Sequence, residues 1–194
     1  MDRTAPVTLR PASREDAPLI ARLFLISSDG LAEYIWSRLA APGEALAEVG
    51  ARRYARDGVA FSWQNCLIAE RGGEPAGMLH AFPMEADPDA QPETDPVLRP
   101  YSELEDYGSL YVSGVAVLPE GRGAGIGTAL MDAAAARARS LSLPRVSLIC
   151  FERNEGAMRL YRRLGYRELA RRPLVPHPSL HYPDGDAVLL ALEV

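Results

Sequence analysis

The chain has 194 residues, a length that most simply forms one domain with a sizeable hydrophobic core. Its 47% hydrophobic and 24% charged content is typical of a soluble globular protein, so we expect a single domain over residues 1–194 in the cytoplasm. The net charge of −5 argues against a nucleic-acid-binding surface, the early charged residues argue against a signal peptide, and no apolar run is long enough to span a membrane.

The first 82 residues predict a strand, three helices and a hairpin, in that order. Apolar spacing and turn residues predict the strand at 7–10, helices at 14–26, 31–39 and 43–56, and hairpin strands at 65–69 and 77–82. Ser13 is expected to cap the first helix. Cys66 and Cys150 lie in apolar, strand-like stretches, which favours buried reduced thiols over a disulfide.

Residues 84–107 interrupt this pattern with a proline-rich acidic loop. Prolines at 88, 92, 96 and 100 exclude a long helix or a central strand. The segment carries eight acidic side chains against Arg99 alone. Because strands flank it on both sides, we expect an ordered loop or a mobile lid rather than a linker. The acidity either steers a cationic ligand or only keeps the loop soluble, and both interpretations stay open.

The second half of the chain alternates strands with helices. We predict strands at 110–118, 146–151, 166–169 and 187–192, with helices at 128–140 and after Asn154. In the last helix the apolar positions fall on one face, and Gly165 suits its end. This alternation predicts an α/β sheet with helices on both faces, made mixed by the early hairpin. Three histidines, including His177 and His181, lack the spacing of metal ligands, so no metal site is expected.

The most specific feature is the run Gly-Arg-Gly-Ala-Gly-Ile-Gly-Thr at residues 121–128. Glycines at this density between a strand and a helix let backbone N–H groups converge, and the helix start adds partial positive charge. The predicted ligand is a phosphate or pyrophosphate. A Walker loop would need a lysine before Thr128, and a Rossmann loop a different glycine spacing and a later carboxylate. A flexible surface turn is the plain alternative, against which Arg122 and the apolar flanks argue.

Two motifs in this half of the chain resemble the GNAT superfamily of N-acetyltransferases. The family's Arg/Gln-x-x-Gly-x-Gly/Ala loop is matched by Arg122, Gly125 and Gly127, and its Asn-x-x-Ala-x-x-x-Tyr segment by Asn154 and Tyr161. The resemblance covers residues 109–170, with a weaker match at 9–16. It implies a twisted, mostly antiparallel α/β sheet whose fourth and fifth strands run parallel and splay apart, with acetyl-CoA between them.

The resemblance also implies roles for individual residues in binding acetyl-CoA, the co-substrate. Arg122 would open a loop whose backbone N–H groups surround the pyrophosphate, from Gly123, Ala124, Gly125, Ile126, Gly127 and Thr128. The pantetheine arm and the carbonyl to be polarised would meet the backbone of Val115, Ala116 and Val117. Asn154 would reach coenzyme A or serve only as a helix cap. Tyr161 would protonate the leaving thiolate, or it is a core aromatic residue.

The group that removes a proton from the acceptor is the least defined part of the predicted site. Many family members carry a glutamate on the fourth strand where this chain has Ser113, which could position a water molecule instead. Other candidates are the nearby carboxylates and a phenol, namely Glu103, Glu105, Asp106 and Tyr111. A solvated loop charge is the plainer interpretation of each carboxylate.

The expected acceptor is a primary amine on a small molecule or a peptide, and a cationic one if the acidic loop steers it. Aromatic residues that could line its pocket, or simply fill the core, are Tyr34, Trp36 and Trp63. Two other functions stay open: a catalytically weak acyl-CoA-binding regulatory module of the same fold, and a nucleotide-dependent enzyme that binds ATP or NAD. A homodimer is a family-level expectation, and no nucleic acid or membrane partner is expected.

Overall fold

The structure, a computed structural model, describes residues 5–194 of the chain. The strands are β1 Val7–Pro11, β2 Cys66–Arg71, β3 Glu74–Pro83, β4 Leu110–Val117, β5 Arg145–Phe151, β6 Arg167–Pro173 and β7 Asp186–Glu193. The α-helices are α1 Ala17–Ser27, α2 Leu31–Ser37, α3 Leu46–Tyr54, α4 Arg99–Ser102, α5 Ile126–Ser140 and α6 Glu155–Arg163.

The described strands form one sheet in the order β1-β2-β3-β4-β5-β7-β6. β1 pairs antiparallel with β2, β2 with β3, and β7 with both β5 and β6. β4 and β5 pair in parallel, with residues 110–112 opposite 146–148. The predicted mixed, mostly antiparallel sheet with one parallel pair is therefore confirmed. By its internal contacts the chain divides into two compact units.

The first unit contains the residues up to Ala81 together with Gly114–Asp132. Its core lies among α1, α2, α3 and the first strands, around a group of aromatic rings. The Phe24 ring stacks on Trp36 at 5.9 Å between centroids and tilts against Tyr54 at 5.6 Å. Fully burying a large apolar side chain contributes about 1.5–3 kcal/mol.

Two helices of this unit begin later than the sequence predicts. α1 begins at Ala17, after a short 3-10 turn, because Pro18 has no N–H with which to continue a helix from Arg14. Ser13 is therefore the N-cap of this 3-10 turn rather than of one continuous helix over 14–26, and its N–H donates to the Asp16 carboxylate at 2.7 Å. α3 begins at Leu46 and not at residue 43, where a glycine has φ +80°.

The hairpin of β2 and β3 is longer than predicted because its turn is only two residues long. Gly72 and Gly73 have φ of +61° and +81°, the signs that a type I′ turn requires and that glycine adopts readily. Arg71, which the sequence places in the turn, is instead the last residue of β2.

β3 and the start of α5 approach each other closely at Gly77. A Cβ on this glycine would lie 2.6 Å from the Ala116 carbonyl oxygen and 3.2 Å from Ile126 Cγ2. Real Cβ atoms do not approach a backbone oxygen this closely, so only glycine allows the contact. Gly77 therefore lets β3 pack directly against the end of β4 and the first turn of α5.

The second unit contains Phe82–Ser113 and Ala133–Val194. A cluster of buried apolar side chains holds it together, formed by Leu104, Phe151, Leu174, Ala187 and Leu189. The acidic loop belongs to this unit, and its two ends are joined by hydrogen bonds between Met84 N–H and the Ser109 carbonyl (2.9 Å) and between Gly108 N–H and the Met84 carbonyl (2.8 Å). Within it lies the four-residue helix α4, with Pro100 in its first turn.

Three global features follow from the side chains of the described residues. Cys66 and Cys150 are both buried, and no disulfide joins them. Within residues 5–194, no three histidine, cysteine or carboxylate side chains are grouped so as to hold a metal ion. None of the helices in this part of the chain has the length and apolar character needed to cross a bilayer.

Candidate active site

The glycine loop, defined here as residues 121–127, has the backbone conformation that its sequence predicts. Gly123 has φ +74° and Gly125 φ +80°, which are left-handed values that other residues rarely adopt. A Cβ on Gly125 would meet no heavy atom within 4 Å, so this point of the loop faces open space. Left-handed residues alternating with ordinary ones turn successive N–H groups toward one concavity, which suits an anion.

The start of α5 adds further donors to this loop. α5 begins at Ile126, two residues before the predicted start at Thr128. Its first hydrogen bond runs from Ala129 N–H to the Gly125 carbonyl at 3.0 Å. The N–H groups of Ile126, Gly127 and Thr128 therefore precede the helical ladder and have no helical carbonyl to bind. Such first-turn donors carry partial positive charge, so they favour an anionic ligand.

Arg122 and the end of β4 lie beside the loop in the same unit. The exposed Arg122 side chain donates from Nε to the Val117 carbonyl at 3.4 Å. Along this part of β4 the side chains alternate, with Ala116 buried and Val115 and Val117 half-buried on the other face. The interpretation of this segment as a core strand is therefore correct for one face. The role of its backbone toward a ligand stays a prediction.

Asn154 and Tyr161 belong to the second unit, at the start and on the inner face of α6. The Asn154 side chain accepts a hydrogen bond from Ala157 N–H at 3.1 Å, so its capping role is confirmed. Tyr161 is 8% exposed, and its ring centroid lies 5.7 Å from that of Tyr166. The tyrosine therefore has the packing of a core aromatic residue, and its catalytic role stays a prediction. Gly165, with φ +90°, ends the helix as predicted.

The three carboxylates predicted near β4 are engaged with other side chains of the second unit. Asp106 is 8% exposed and accepts two hydrogen bonds from Arg145, at 2.5 and 2.6 Å. Its interpretation as a solvated loop charge is therefore wrong, because the chain fold brings a distant arginine onto it. Glu103 forms ion pairs with Arg172 (2.7 Å) and Arg99 (3.8 Å).

The third carboxylate, Glu105, and two polar residues of β4, Tyr111 and Ser113, also belong to the second unit. Glu105 accepts a hydrogen bond from the Tyr107 hydroxyl at 2.6 Å. Burial raises the pKa of Tyr111 well above its ordinary value, so its phenol stays protonated and cannot act as a base at neutral pH. Ser113 is half-buried and follows Tyr111 on the same face of β4.

The aromatic residues proposed for an acceptor pocket occupy different environments. Trp36 is 3% exposed and belongs to the first unit's core. The Tyr34 hydroxyl accepts a hydrogen bond from Arg38 at 2.6 Å, and Trp63 Nε1 donates to Asp57 at 3.0 Å. Trp36 is therefore a core residue, which leaves Tyr34 and Trp63 as the partly polar members of the set.

A cavity of about 560 Å³ lies in the second unit, between the residues that follow β5 and the end of the loop that precedes β7. Its lining includes three carboxylates, from Glu152, Glu155 and Asp184, against the single guanidinium of Arg153. His181 lines it as well, whereas the sequence assigned this histidine no role.

Arg71 is a residue of the loop region that sequence reasoning missed. Its side chain is buried, and Nη2 donates to the Ala124 carbonyl of the glycine loop at 3.1 Å. The signal for it was an arginine directly before a Gly-Gly turn, at the end of an apolar strand. Only the hydrogen bond to Ala124 reveals that this end of β2 reaches the loop.

An α/β sheet with one parallel strand pair, and a glycine loop that leads from a strand into a helix, are the arrangement in which helix starts commonly bind anionic ligands. The model of the Acetyltransferase (GNAT) family matches residues 33–166, more than half of the chain, and the chain belongs to this family. It is accordingly an N-acetyltransferase with acetyl-CoA as donor. No curated protein sequence matches the chain significantly.

Solved structures share this fold at low sequence identity. An N-acetyltransferase from Staphylococcus aureus Mu50 is 19% identical with a TM-score of 0.63, over 95% of this chain and 100% of that one. The ribosomal-protein-alanine N-acetyltransferase from Brucella melitensis is 19% identical with a TM-score of 0.62, over 96% and 99%. The NatC complex bound to Gag peptide and CoA is 17% identical with a TM-score of 0.58, over 97% and 98%. These likenesses establish the fold alone.

Proposed function

We propose that this protein transfers the acetyl group of acetyl-CoA to a primary amine by direct attack, with Tyr161 as the general acid. The observation that carries the proposal is the glycine loop. The loop contains two left-handed glycines and leads into the first turn of α5, whose N–H groups have no helical carbonyl to bind. The chain also belongs to a family of acetyltransferases. The fold neighbours include a complex bound to a peptide and CoA, which supports the same donor.

The residues of the loop fit the diphosphate of acetyl-CoA. In the proposal, the N–H groups from Gly123 to Thr128 bind its oxygens, and the exposed Arg122 adds positive charge beside them. The backbone of Val115 and Val117 binds the pantetheine arm as an added strand would. Asn154, which already caps α6, contributes to the same donor.

The chemical step needs a polarised carbonyl and a protonated leaving group. A backbone N–H near Val115 or Val117 would stabilise the oxyanion that forms when the amine nitrogen attacks the thioester carbon. As the C–S bond breaks, the Tyr161 hydroxyl gives its proton to the thiolate and regains one from solvent. A tyrosine phenol is ordinarily protonated at neutral pH, so it can serve as this acid.

The acceptor amine loses its proton without a carboxylate of the 103–106 segment in this proposal. Asp106 and Glu103 are held in ion pairs, Glu105 accepts the hydrogen bond of the Tyr107 hydroxyl, and the Tyr111 phenol stays protonated. Ser113 would hold a water molecule that carries the proton to solvent. An ordinary lysine-type amine has a pKa near 10.4, so a fraction of the acceptor is neutral at any working pH.

The acceptor in this proposal is a small-molecule or peptide amine, and a cationic one is favoured. The acidic loop retains exposed carboxylates at Glu85, Asp87 and Asp89, away from the ion pairs of its other end. Exposed charges of one sign raise the encounter rate with an oppositely charged ligand, chiefly at low salt. Replacing these three residues with their amides should reduce kcat/KM for a cationic amine at low salt and leave it unchanged at high salt.

The test is the Tyr161→Phe variant, with Tyr166→Phe as the matched control. Both tyrosines are buried and their rings are neighbours, so both variants remove one hydroxyl from the same packing environment. We expect Tyr161→Phe to lower kcat about 100-fold or more, the usual effect of losing a general acid, with the Kd for acetyl-CoA unchanged. Equal turnover in the two variants would remove Tyr161 from the mechanism.

The alternative is a catalytically weak regulatory module of the same fold that binds acyl-CoA. Ser113, at the position where many family members carry a glutamate, is the observation that favours it. Calorimetric titration of the unmodified protein with acetyl-CoA, followed by an amine panel, separates the two functions. Binding without acetylation of any amine supports the module, and no binding removes both.

A further inference from the structure

Arg71 carries a charge in an unusually enclosed position. Its side chain is 5% exposed, and within residues 5–194 the buried Nε and Nη1 atoms have no hydrogen-bond partner. Burial of a guanidinium is costly unless its donors are used. The half-buried Arg10 and Arg145 follow the ordinary rule, because each is hydrogen-bonded to carboxylates. Arg71 therefore contributes something other than an ion pair to the first unit.

The one hydrogen bond that Arg71 does form controls a peptide group of the glycine loop. Its Nη2 donates to the Ala124 carbonyl at 3.1 Å. In a trans peptide the carbonyl and the following N–H point in opposite directions, so the bond also turns the Gly125 N–H away from Arg71. The side of Gly125 where a Cβ would lie is open space. The arginine thus fixes the direction of an N–H in the exposed part of the loop.

This peptide needs such a restraint because its neighbours do not supply one. Gly123 and Gly125, on either side of Ala124, both have positive φ, and glycine populates positive and negative φ about equally. Loss of the bond would let the Ala124–Gly125 peptide turn over and present a carbonyl oxygen to an anion. A guanidinium beside this peptide also adds a full positive charge in a region of reduced dielectric, where charges interact more strongly than in water.

We propose that Arg71 is a positioning residue for the donor: it holds the glycine loop in its anion-binding conformation and so sets the affinity for the diphosphate of acetyl-CoA. The proposal rests on the proposed function, because it takes acetyl-CoA as the ligand of the loop. It predicts that Arg71 matters for the phosphate-bearing part of the donor and not for the thioester.

The test compares Arg71→Met and Arg71→Lys with two donors. Acetyl-CoA carries the diphosphate, whereas S-acetylpantetheine carries the same thioester without any phosphate. We expect Arg71→Met to weaken CoA binding about 10- to 100-fold, as expected for losing a charged hydrogen-bonding group. Its kcat/KM with S-acetylpantetheine should change less than about twofold. Arg71→Lys retains the charge without the planar fork, so it should fall between the wild type and Arg71→Met.

Arg56→Met is the matched control. The Arg56 Nε also donates to a backbone carbonyl, that of Arg53 at 2.9 Å, but this residue is exposed and lies outside the loop. The control should bind CoA as the wild type does. Because Arg71→Met removes a buried charge, its melting temperature should not fall in step with its CoA affinity. A residue with only a structural role would show the opposite, with stability lost and both donors affected equally.

The outcomes separate this proposal from the function on which it rests. Wild-type CoA affinity in Arg71→Met, or an equal loss with CoA and S-acetylpantetheine, overturns the role of Arg71 and leaves the acetyltransferase intact. If Arg71→Met does not fold, the same comparison is made with Arg71→Lys. Failure of the wild-type protein to bind CoA instead contradicts the proposed function itself.

Discussion

The ion pair between Asp106 and Arg145 gives the end of the acidic loop a structural role rather than a catalytic one. The Asp106 side chain is 9% exposed and that of Arg145 30%, and two hydrogen bonds of 2.5 and 2.6 Å join them. The carboxylate raises the pKa of the Arg145 guanidinium through these bonds, so the arginine stays charged in the folded state. We predict that Asp106→Asn reduces stability and leaves catalysis intact.

The expected loss follows from the burial of the two partners. Removing one partner of a fully buried ion pair costs about 3–5 kcal/mol, because the other charge is left uncompensated. Arg145 retains contact with water, which screens part of this cost, so we expect about 2–3 kcal/mol. For a domain of this size that corresponds to a fall in Tm of about 5–10 °C.

Urea unfolding and scanning calorimetry measure the loss, and kcat/KM is measured well below the transition. Glu85→Gln, an exposed position of the same loop, is the control and should change stability by less than about 0.5 kcal/mol. In the double-mutant cycle with Arg145→Met, the two losses should be non-additive by about 1–3 kcal/mol. The reasoning is refuted if Asp106→Asn keeps its Tm but loses activity toward the amine.

Gly77→Ala should lower the free energy of unfolding by about 1–3 kcal/mol, because the added methyl group overpacks against β4 and α5. The control Gly156→Ala, in the exposed first turn of α6, should be neutral or stabilising. Equal urea midpoints for the two variants would contradict the close approach at Gly77. Asn154→Ala should cost about 1 kcal/mol as a lost helix cap. Asn154→Asp retains the cap, so a weaker Kd for CoA at unchanged stability would identify a donor contact. The hydrogen bond from Arg10 lowers the pKa of Asp16 from 3.8 to about 2. The ionised Asp16 therefore stabilises the folded state fully above pH 3.8, and this contribution is lost as the pH falls toward 2. Acid unfolding of Asp16→Asn should lack this slope.

The parts of the fold that were predicted are those that local chemistry determines. Gly123 and Gly125 need positive φ, Gly165 ends a helix, and Asn154 caps one, and each of these is a property of a few adjacent residues. The mixed sheet was predicted from the alternation of strand and helix patterns together with the early hairpin. The central strands β3 and β7 are continuous buried runs without a period of two.

The parts that were missed depend on which strands pair and in what register. Asp106 and Arg145 are 39 positions apart, and Arg71 and Ala124 are 53 apart. Nothing in either sequence neighbourhood indicates its partner. The local sequence therefore predicts a solvated charge for a carboxylate before a strand, and a turn residue for an arginine before Gly-Gly. Both assignments changed only because the sheet brought distant segments together.

The neutral form of the acceptor amine must arise in solution, because other side chains already hold the candidate carboxylates. Asp106 and Glu103 are in ion pairs, Glu105 accepts from the Tyr107 hydroxyl, and the Tyr111 phenol is protonated, so the amine's own acid dissociation should control the rate. We predict that kcat/KM rises with pH up to the pKa of the acceptor amine. A peptide α-amine, with a pKa near 8, should then reach its plateau about two pH units below a lysine-type amine near 10.4.

A plateau that moves with the acceptor's pKa distinguishes deprotonation by solvent from deprotonation by a protein base. A base on the protein would give the pH profile of kcat/KM the same rising limb for every acceptor. If both amines show a common limb between about pH 5 and 7, a carboxylate or imidazole removes the proton. Loss of that limb in Glu103→Gln would assign the base to a residue that must leave its arginine partners during turnover. The other outcome is a rising limb of the pH profile that differs between the two acceptors. If Ser113→Ala then lowers kcat/KM without moving the pH midpoint of that limb, the result supports a water molecule held by the serine. The departure from the family's glutamate at this position would then be compatible with turnover, because an amine that is already partly neutral needs only a path for its proton.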